Sequence, residues 1–502
     1  MLYSFVLSVM DIWIKMTAID GIFQDADIIF AFLFAYVVFT TILFFVYCVN
    51  LIILVMASFG KSRALKEIDA LQYVSDRKLK NVVVMVPLYH EQLTVSQLIK
   101  TIASSDYPKD KFVIHCLLEH DDVITQETMQ RICSEFQNTI QFTNADKLTV
   151  KQFNAWNGVK VVIDIVPPGN FKTKPNALNY GLKKVLDEKF DKITPGNFKA
   201  DILTVYDAED RPEPDQLKKM VNFMIKHPET SCTQARLSYY NPHQSYITKF
   251  FAMEYIQHFL VLLPTHRALN NVLLLGGTSN FFYVDKLHEL GGWDSANVTE
   301  DADLGIRLKL AGCNTELVNT ITWEEAPPKF HHWLQQRIRW NKGYLQTLFK
   351  HFRHPLKLIN RIGFVHTFSL FMYLIGPIVS SLSLVNWIFF IIFWLDWCGV
   401  SIHVLSEMIS AVYAHNWIVF LLTQFTFTIG TAYPIFMALN GFHRQTSKLT
   451  LNNIKWAFLT PVYALMQGVS ATIAFYEFLS KPTVWNKTPH GFSIVNKNTN
   501  VV

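Results

Sequence analysis

Ile202-Leu203-Thr204-Val205-Tyr206-Asp207-Ala208-Glu209-Asp210 decides how this chain is read. Its first five residues are apolar, β-branched or aromatic, as a buried strand requires, and they run straight into three carboxylates. The same form recurs upstream. Residues 82–87 run into Tyr89-His90-Glu91, and residues 112–118 run into Glu119-His120-Asp121-Asp122. Residues 159–166 read as another continuous strand, with 281–284 and 315–318 as shorter ones. Helical patterns lie between, at 92–103 and 177–186. Short strands alternating with helices predict an α/β domain whose sheet is mostly parallel and covered on both faces. Ligands of such sheets sit at the carboxyl ends of the strands. One acidic strand end is ordinarily a helix cap or a turn. Two acidic clusters in one domain point to a site.

If strand geometry continues past Tyr206, alternate residues share a face. Asp207 and Glu209 then lie together and Asp210 lies opposite, unless a turn rotates it back. Asp207 and Glu209 would suit one hard divalent cation, Mg²⁺ or Mn²⁺, with positions left open for substrate phosphate. A solvated acidic turn before Pro212 and Pro214 is the plain alternative.

Downstream lies Thr299-Glu300-Asp301, after the turn signal Gly291-Gly292 and before a helical run at 306–310. It reads equally as a helix cap and as the home of a general base. Lys174 sits just before a helix, where a cation and free backbone N–H groups suit an anion such as phosphate. In Gln336-Arg337-Ile338-Arg339-Trp340, helical spacing puts Gln336, Arg339 and Trp340 on one face. Glutamine and arginine can grip diphosphate oxygens, and tryptophan suits the apolar face of a sugar ring. The same residues also suit a helix at a membrane surface. Gly276-Gly277-Thr278 lets backbone approach a ligand closely. Trp485, Lys487 and Thr488 belong to a late set of phosphate-friendly donors.

Half of the 502 residues are hydrophobic, rich for a soluble protein. The apolar sequence is concentrated at the two ends. Residues 28–58 suffice for a crossing, which needs about 20 residues. Residues 362–395 are long for one crossing and tight for two. Residues 417–439 form a clean candidate. Residues 456–480, interrupted by Pro461, Gln467, Gly468 and Glu477, are expected to be re-entrant or interfacial. Lysine and arginine placement puts the central region and residues 440–455 in the cytosol, and with 456–480 not crossing the carboxyl terminus is expected there too. The expected divisions are 1–60 with the first span, a cytosolic domain at 61–330, interfacial helices at 331–361, membrane helices at 362–482 and a loop with tail at 483–502. A net charge of +5 is small for this length and predicts no nucleic-acid partner. Six scattered cysteines predict neither a disulfide framework nor a zinc site.

In order, Asp121, Lys174, Asp207-x-Glu209-Asp210, Gly277-Thr278, Thr299-Glu300-Asp301 and Gln336-x-x-Arg339-Trp340 resemble the membrane-integrated, processive family 2 glycosyltransferases. These include cellulose, chitin and hyaluronan synthases; the bacterial exopolysaccharide glycosyltransferases look most similar. The resemblance covers residues 80–350. It implies a GT-A catalytic domain on a membrane channel, in the inner or plasma membrane, that inverts a UDP-sugar onto a β-linked polysaccharide. Asp121 would contact the uridine, with Lys174 near the nucleotide. Asp207 and Glu209 would meet Mg²⁺ or Mn²⁺. Asp301 would be the base, with Glu300 beside it. Gln336, Arg339 and Trp340 would hold diphosphate and acceptor, and Trp485, Lys487 and Thr488 would lie on a gating loop. The glutamate in the second D-x-D position, with Asp210 beside it, leaves the ligand there open. A single-addition enzyme acting on a glycolipid and an inactive membrane scaffold are the alternatives. Accessory or export subunits are invisible in the sequence.

Overall fold

The computed structural model describes residues 24–59, 65–67, 69, 73–135, 141–145, 148–154, 158–168, 172–187, 198–400, 413 and 416–480. Ten strands form one mixed sheet: β1 (Val82–Leu88), β2 (Phe112–Glu119), β3 (Gln141–Ala145), β4 (Leu148–Asn154), β5 (Lys160–Val166), β6 (Ile202–Val205), β7 (Arg211–Pro212), β8 (Thr230–Tyr239), β9 (Asn280–Tyr283) and β10 (Asn314–Glu324). Their order is β3-β4-β5-β2-β1-β6-β9-β8-β10-β7. The central strands β5, β2, β1 and β6 run parallel. Val82 pairs with both Phe112 and Ile202, so β1, β2 and β6 open on the same edge.

Alternation along β1 builds two cores. Val82, Val84 and Val86 join the helices Val95–Ala103 and Gln216–Lys226 on one face. Val83 and Met85 join the helices Lys174–Val185 and Glu300–Leu310 on the other. Both faces are therefore covered, as the uninterrupted apolar strands predict.

Strand geometry does not continue through Asp207. β6 ends at Val205, and residues 207–210 turn, with the Asp210 N–H donating to the Asp207 carbonyl (3.0 Å). Face alternation therefore does not decide where these carboxylates point. The run at 315–318 extends instead from Asn314 to Glu324.

Among the described residues, four helices are long and apolar enough to cross a membrane: Ala31–Ser58, Gly376–Trp397, Trp417–Thr446 and Leu451–Ser480. Residues 362–395 fall on more than one helix. Gly363, at φ 86°, separates the helix Pro355–Ile362 from Phe364–Leu374, and Gly376–Trp397 follows. The chain forms two compact units. One comprises Met1–Val49 and Leu382–Gly430, the other Asn50–Ser381 and Thr431–Val502. In the first, few polar groups sit among apolar helices. Thr41 and Thr423 share a hydrogen bond (3.1 Å), and Asn386 donates to Thr40 (3.1 Å). The sheet belongs to the second unit.

Candidate active site

A cavity of ≈ 470 Å³ opens in the second unit, beyond the carboxyl ends of β1, β2, β6 and β10. Its lining includes Lys174, Asp207, Glu209, Gly277, Thr278, Glu300, Asp301, Glu324, Gln336, Arg339 and Trp340. Residues more than a hundred positions apart are thus brought to one place.

Lys174 opens the helix Lys174–Val185, and Pro175 fits its first turn. Its ammonium is engaged by the protein's own oxygens. It donates to the Asp207 carboxylate and to the Gly277 carbonyl, the latter at 2.7 Å. Burial works to lower its pKa, but Asp207, Glu300 and Asp301 outweigh burial and hold it above the ordinary lysine range.

The turn after β6 is held from within. Asp210 is buried, and its Oδ2 accepts from the Asp207 N–H (2.8 Å) and the Thr278 hydroxyl. Burial, then Asp207, Glu324 and Glu209, push the Asp210 carboxyl well above its usual range. Asp210 therefore shapes the turn, while Asp207 and Glu209 face the cavity. The opposing segment at 276–278 is fixed by Gln234, which accepts from the Gly276 N–H (2.9 Å) and donates to the Thr278 carbonyl (3.0 Å). A Cβ at Gly277 would stand 3.4 Å from Asp301 and 3.5 Å from Lys174, in ordinary contact with both.

Glu300 and Asp301 begin the helix Glu300–Leu310. The turn before them is fastened to the helix Phe330–His351. The Val298 N–H donates to Gln346 (3.1 Å) and Asn297 to Thr347 (2.8 Å). A Cβ on Gly343 would stand 2.7 Å from the Thr299 hydroxyl, so the two elements touch without a gap. Lower on the same helix, buried Asp303 accepts from Arg307 (2.8 Å) and Lys350 (2.7 Å) and pairs with His351 (2.7 Å). Burial pushes Glu300 up to about 8, with Asp301 adding to it. It also raises Asp301, against the opposing pull of the Ala302 N–H and Lys174. Both readings of Thr299-Glu300-Asp301 hold geometrically, since the acids start a helix and line the cavity.

Gln336, Arg339 and Trp340 share the cavity-facing side, as their spacing predicts. Among the described residues, Gln336 Oε1 and Arg339 Nε are buried without a hydrogen-bond partner. Burial lowers the Arg339 pKa, while Glu300, Asp207, Asp301 and Glu209 oppose it. Unsatisfied buried polar atoms of this kind fit a wall built to take a ligand.

Three features were missed in the sequence. Glu324 ends β10 in the cavity; burial, then Glu209 and Asp207, raise it to about 8. Its signal was Trp323-Glu324-Glu325, another acid at the end of a β-rich run. Arg337 turns away from Arg339 to bind Glu254 at both oxygens (2.6 and 2.5 Å) and stacks on Trp340, 4.6 Å from the ring centre. Nothing local to Arg337 names Glu254, 83 residues earlier.

Asp121 does not line the cavity. It is exposed and binds Lys172, which does. Asp122 is a buried cap that accepts from the His90 N–H (2.5 Å) and the Thr125 N–H (3.2 Å). Trp485, Lys487 and Thr488 lie outside the described residues.

Residues 202–439 match the family described as Glycosyl transferase family group 2. The probable glycosyltransferase YdaM of Bacillus subtilis is 24% identical over 402 residues, 76% of this chain and 86% of that protein. The probable glucomannan 4-beta-mannosyltransferase 14 of Arabidopsis thaliana is 25% identical over 266 residues. That match covers 52% of this chain and 44% of the plant protein, so the chain spans less than half of that relative's length. Among solved structures, the mannosyltransferase PcManGT of Pyrobaculum calidifontis, in complex with GDP-Man and Mn²⁺, is 16% identical with a TM-score of 0.49. The superposition covers 83% of this chain and all of that one. Residues 202–439 and the wider alignments are thus similar to sugar-transferring enzymes.

Proposed function

We propose that this chain is a membrane-bound, inverting glycosyltransferase that moves a sugar from a UDP-sugar to a hydroxyl of a growing β-linked polysaccharide, coupled to export. One observation carries the reading: buried Glu300 and half-buried Asp301 share a single cavity with Lys174 and Arg339. Acid and base are thereby set beside groups that neutralise a leaving diphosphate.

In this reading Asp301 takes the acceptor hydroxyl's proton as its oxygen attacks the anomeric carbon. The bond to the diphosphate breaks on the opposite face, which inverts the donor's configuration. Arg339 and Lys174 receive the charge that develops on the departing diphosphate. Trp340 offers its ring face to the acceptor sugar, and Gln336 supplies a buried acceptor oxygen. The donor's nucleotide extends toward Lys172 and Asp121.

The residues present fit a divalent cation. Asp207, Glu209 and Glu324 offer only oxygen donors, and their mutual repulsion is what a cation relieves. Mg²⁺ or Mn²⁺ held there would supply charge neutralisation for the diphosphate.

The apolar helices support a multi-pass membrane protein with the sheet domain in the cytosol. The cavity wall reaches Tyr373, Tyr433 and Met437, on or beside apolar helices, which favours a product leaving toward the membrane. Tyr463 and Gln467 of the last helix bind Glu254 in that wall, at 2.7 and 3.1 Å. These contacts support a last helix packed on protein rather than freely spanning lipid.

The mannosyltransferases among the relatives support including mannose with glucose and N-acetylglucosamine as candidate sugars. Purified full-length chain incubated with UDP-sugars and GDP-mannose, with Mg²⁺ or Mn²⁺, should release one nucleotide diphosphate and form a polymer. No release from any donor would overturn the proposal, and a product of one added sugar would overturn the polymer.

A further inference from the structure

The far end of the helix that begins with Glu300 enters a second cavity of ≈ 280 Å³. Its lining includes Asn270, Lys309, Asn314, Arg361 and His366, and no carboxylate. Three basic groups line it with no acid among them, in contrast to Lys219 and Lys350 of the same unit. Lys219 is paired with Asp215 (2.9 Å) and Lys350 with Asp303 (2.7 Å). Lys309 instead donates to the amide oxygen of Asn270 (2.7 Å), and His366 meets Asn271 (2.9 Å). Burial lowers the Lys309 pKa with no carboxylate to offset it. Burial, then Lys309, lowers that of His366. The cavity therefore carries uncompensated positive potential and neutral donors, the chemistry that takes a phosphate.

Its position selects the source of that phosphate. Arg361 ends the short amphipathic helix Pro355–Ile362, which buries Leu358 and leaves Leu356 72% exposed. Past Gly363, Phe364 and Val365 are 65% and 70% exposed. Apolar side chains this open beside a basic cavity suit acyl carbons better than water. His366 lies in the first turn of the apolar helix Phe364–Leu374, which leads into the candidate span Gly376–Trp397.

We propose that this cavity seats the phosphate of an anionic phospholipid, with Lys309 and Arg361 on its oxygens and Leu356, Phe364 and Val365 against its acyl chains. The site is separate from the sugar-transfer cavity and does not depend on that reading.

The test uses the full chain, stripped of lipid in detergent and given phosphatidylglycerol or phosphatidylcholine at equal concentration, with retained lipid counted by native mass spectrometry. Wild type should hold one phosphatidylglycerol in preference to phosphatidylcholine. Each basic residue near an anionic surface contributes about fivefold, so Lys309→Gln with Arg361→Gln should weaken retention roughly 30-fold. Lys309→Arg with Arg361→Lys keeps both charges and should retain the lipid, which separates loss of charge from loss of fold. Lys357→Gln, on the same short helix but outside the cavity, should change retention less than about twofold. Equal retention of both lipids, an unaffected double glutamine variant, or an equal loss at Lys357 would overturn the site. Displacement of the lipid by inorganic phosphate at matched concentration would overturn the lipid assignment in favour of a soluble phosphate.

Discussion

Arg337 and Glu254 form a two-pronged ion pair inside the protein, and three helices meet on it. Arg337 comes from the helix Phe330–His351 and Glu254 from the helix Tyr246–Gln257. Tyr463, which also accepts from Trp333 (3.0 Å), brings the helix Thr460–Ser480. The guanidinium lies over Phe251 at 4.2 Å and Trp340 at 4.6 Å. The pair therefore supports the ring proposed to hold the acceptor.

Removing one partner leaves the other charge buried. Arg337→Ala should destabilise the fold by about 3 kcal/mol, the low end for a broken buried pair, because Glu254 also borders the cavity. Arg337→Lys should recover only part of that, since an ammonium cannot make both bonds. Thermal or denaturant unfolding checks both. A loss below about 0.5 kcal/mol in either variant would mean the pair contributes no more than a surface contact.

Asp301→Asn keeps shape and removes the proposed base. Sugar transfer should fall 10²–10⁴-fold, the usual cost of losing general base catalysis, with donor binding preserved. Nucleotide release with acceptor present gives the rate, and nucleotide titration gives the affinity. Transfer at the wild-type rate would remove Asp301 from the role.

Asp207 and Asp210 should separate by what each loses. Asp207→Ala removes a carboxylate from the cavity, so Mn²⁺-dependent nucleotide binding should drop with little change in melting temperature. Asp210→Ala removes the acceptor for the Asp207 N–H and the Thr278 hydroxyl, so it should lower stability by about 1–3 kcal/mol. Equal melting temperatures for the two variants would show that Asp210 does not hold the turn.

His266 should subtract from the stability of the fold in mild acid. His266 is buried, accepts from Asn271 (3.3 Å), and has an Nε2 without a partner among the described residues. Burial pushes its pKa from 6.5 down to about 4. Between these values the unfolded chain binds a proton that the folded chain does not. Stability is full above about pH 6.5 and declines as pH falls toward 4, by at most about 1.4 kcal/mol per pH unit. Glu300 and Glu324, held up to about 8, act with the opposite sign over this range, so the test is a difference: the melting temperature of the wild type minus that of His266→Gln should fall as pH falls from 7 to 4. His258, lowered to about 3 by burial and then by His266, keeps part of the slope. An identical pH profile in the variant would rule the imidazole out.

The central strands were legible because each is an unbroken apolar run, and 82–88, 112–119 and 160–166 lie close to where the pattern puts them. β3 and β4 were not, since Gln141–Ala145 and Leu148–Asn154 carry more polar than apolar residues. β10 was cut short because Asn319 and Thr320 interrupt it, where the sheet register also shifts. That error hid Glu324. Gln336, Arg339 and Trp340 came through intact because helical periodicity is rigid. The Asp207–Asp210 turn did not, because a strand's end is set by hydrogen bonds from Asp210 and Thr278, which no local pattern encodes.

The close fit of Gly343 against Thr299 leaves no slack between the segment bearing Asp301 and the helix bearing Arg339. These two walls must travel as one solid part. Room for an arriving donor has to come from the opposite side, where exposed Lys172 and Asp121 hold each other at a contact that water replaces at little cost. The reaction geometry is thus built on the immobile wall and the admission of substrate on the yielding one. A larger donor could then be accommodated by changes near Lys172 that leave Asp301 and Arg339 in place.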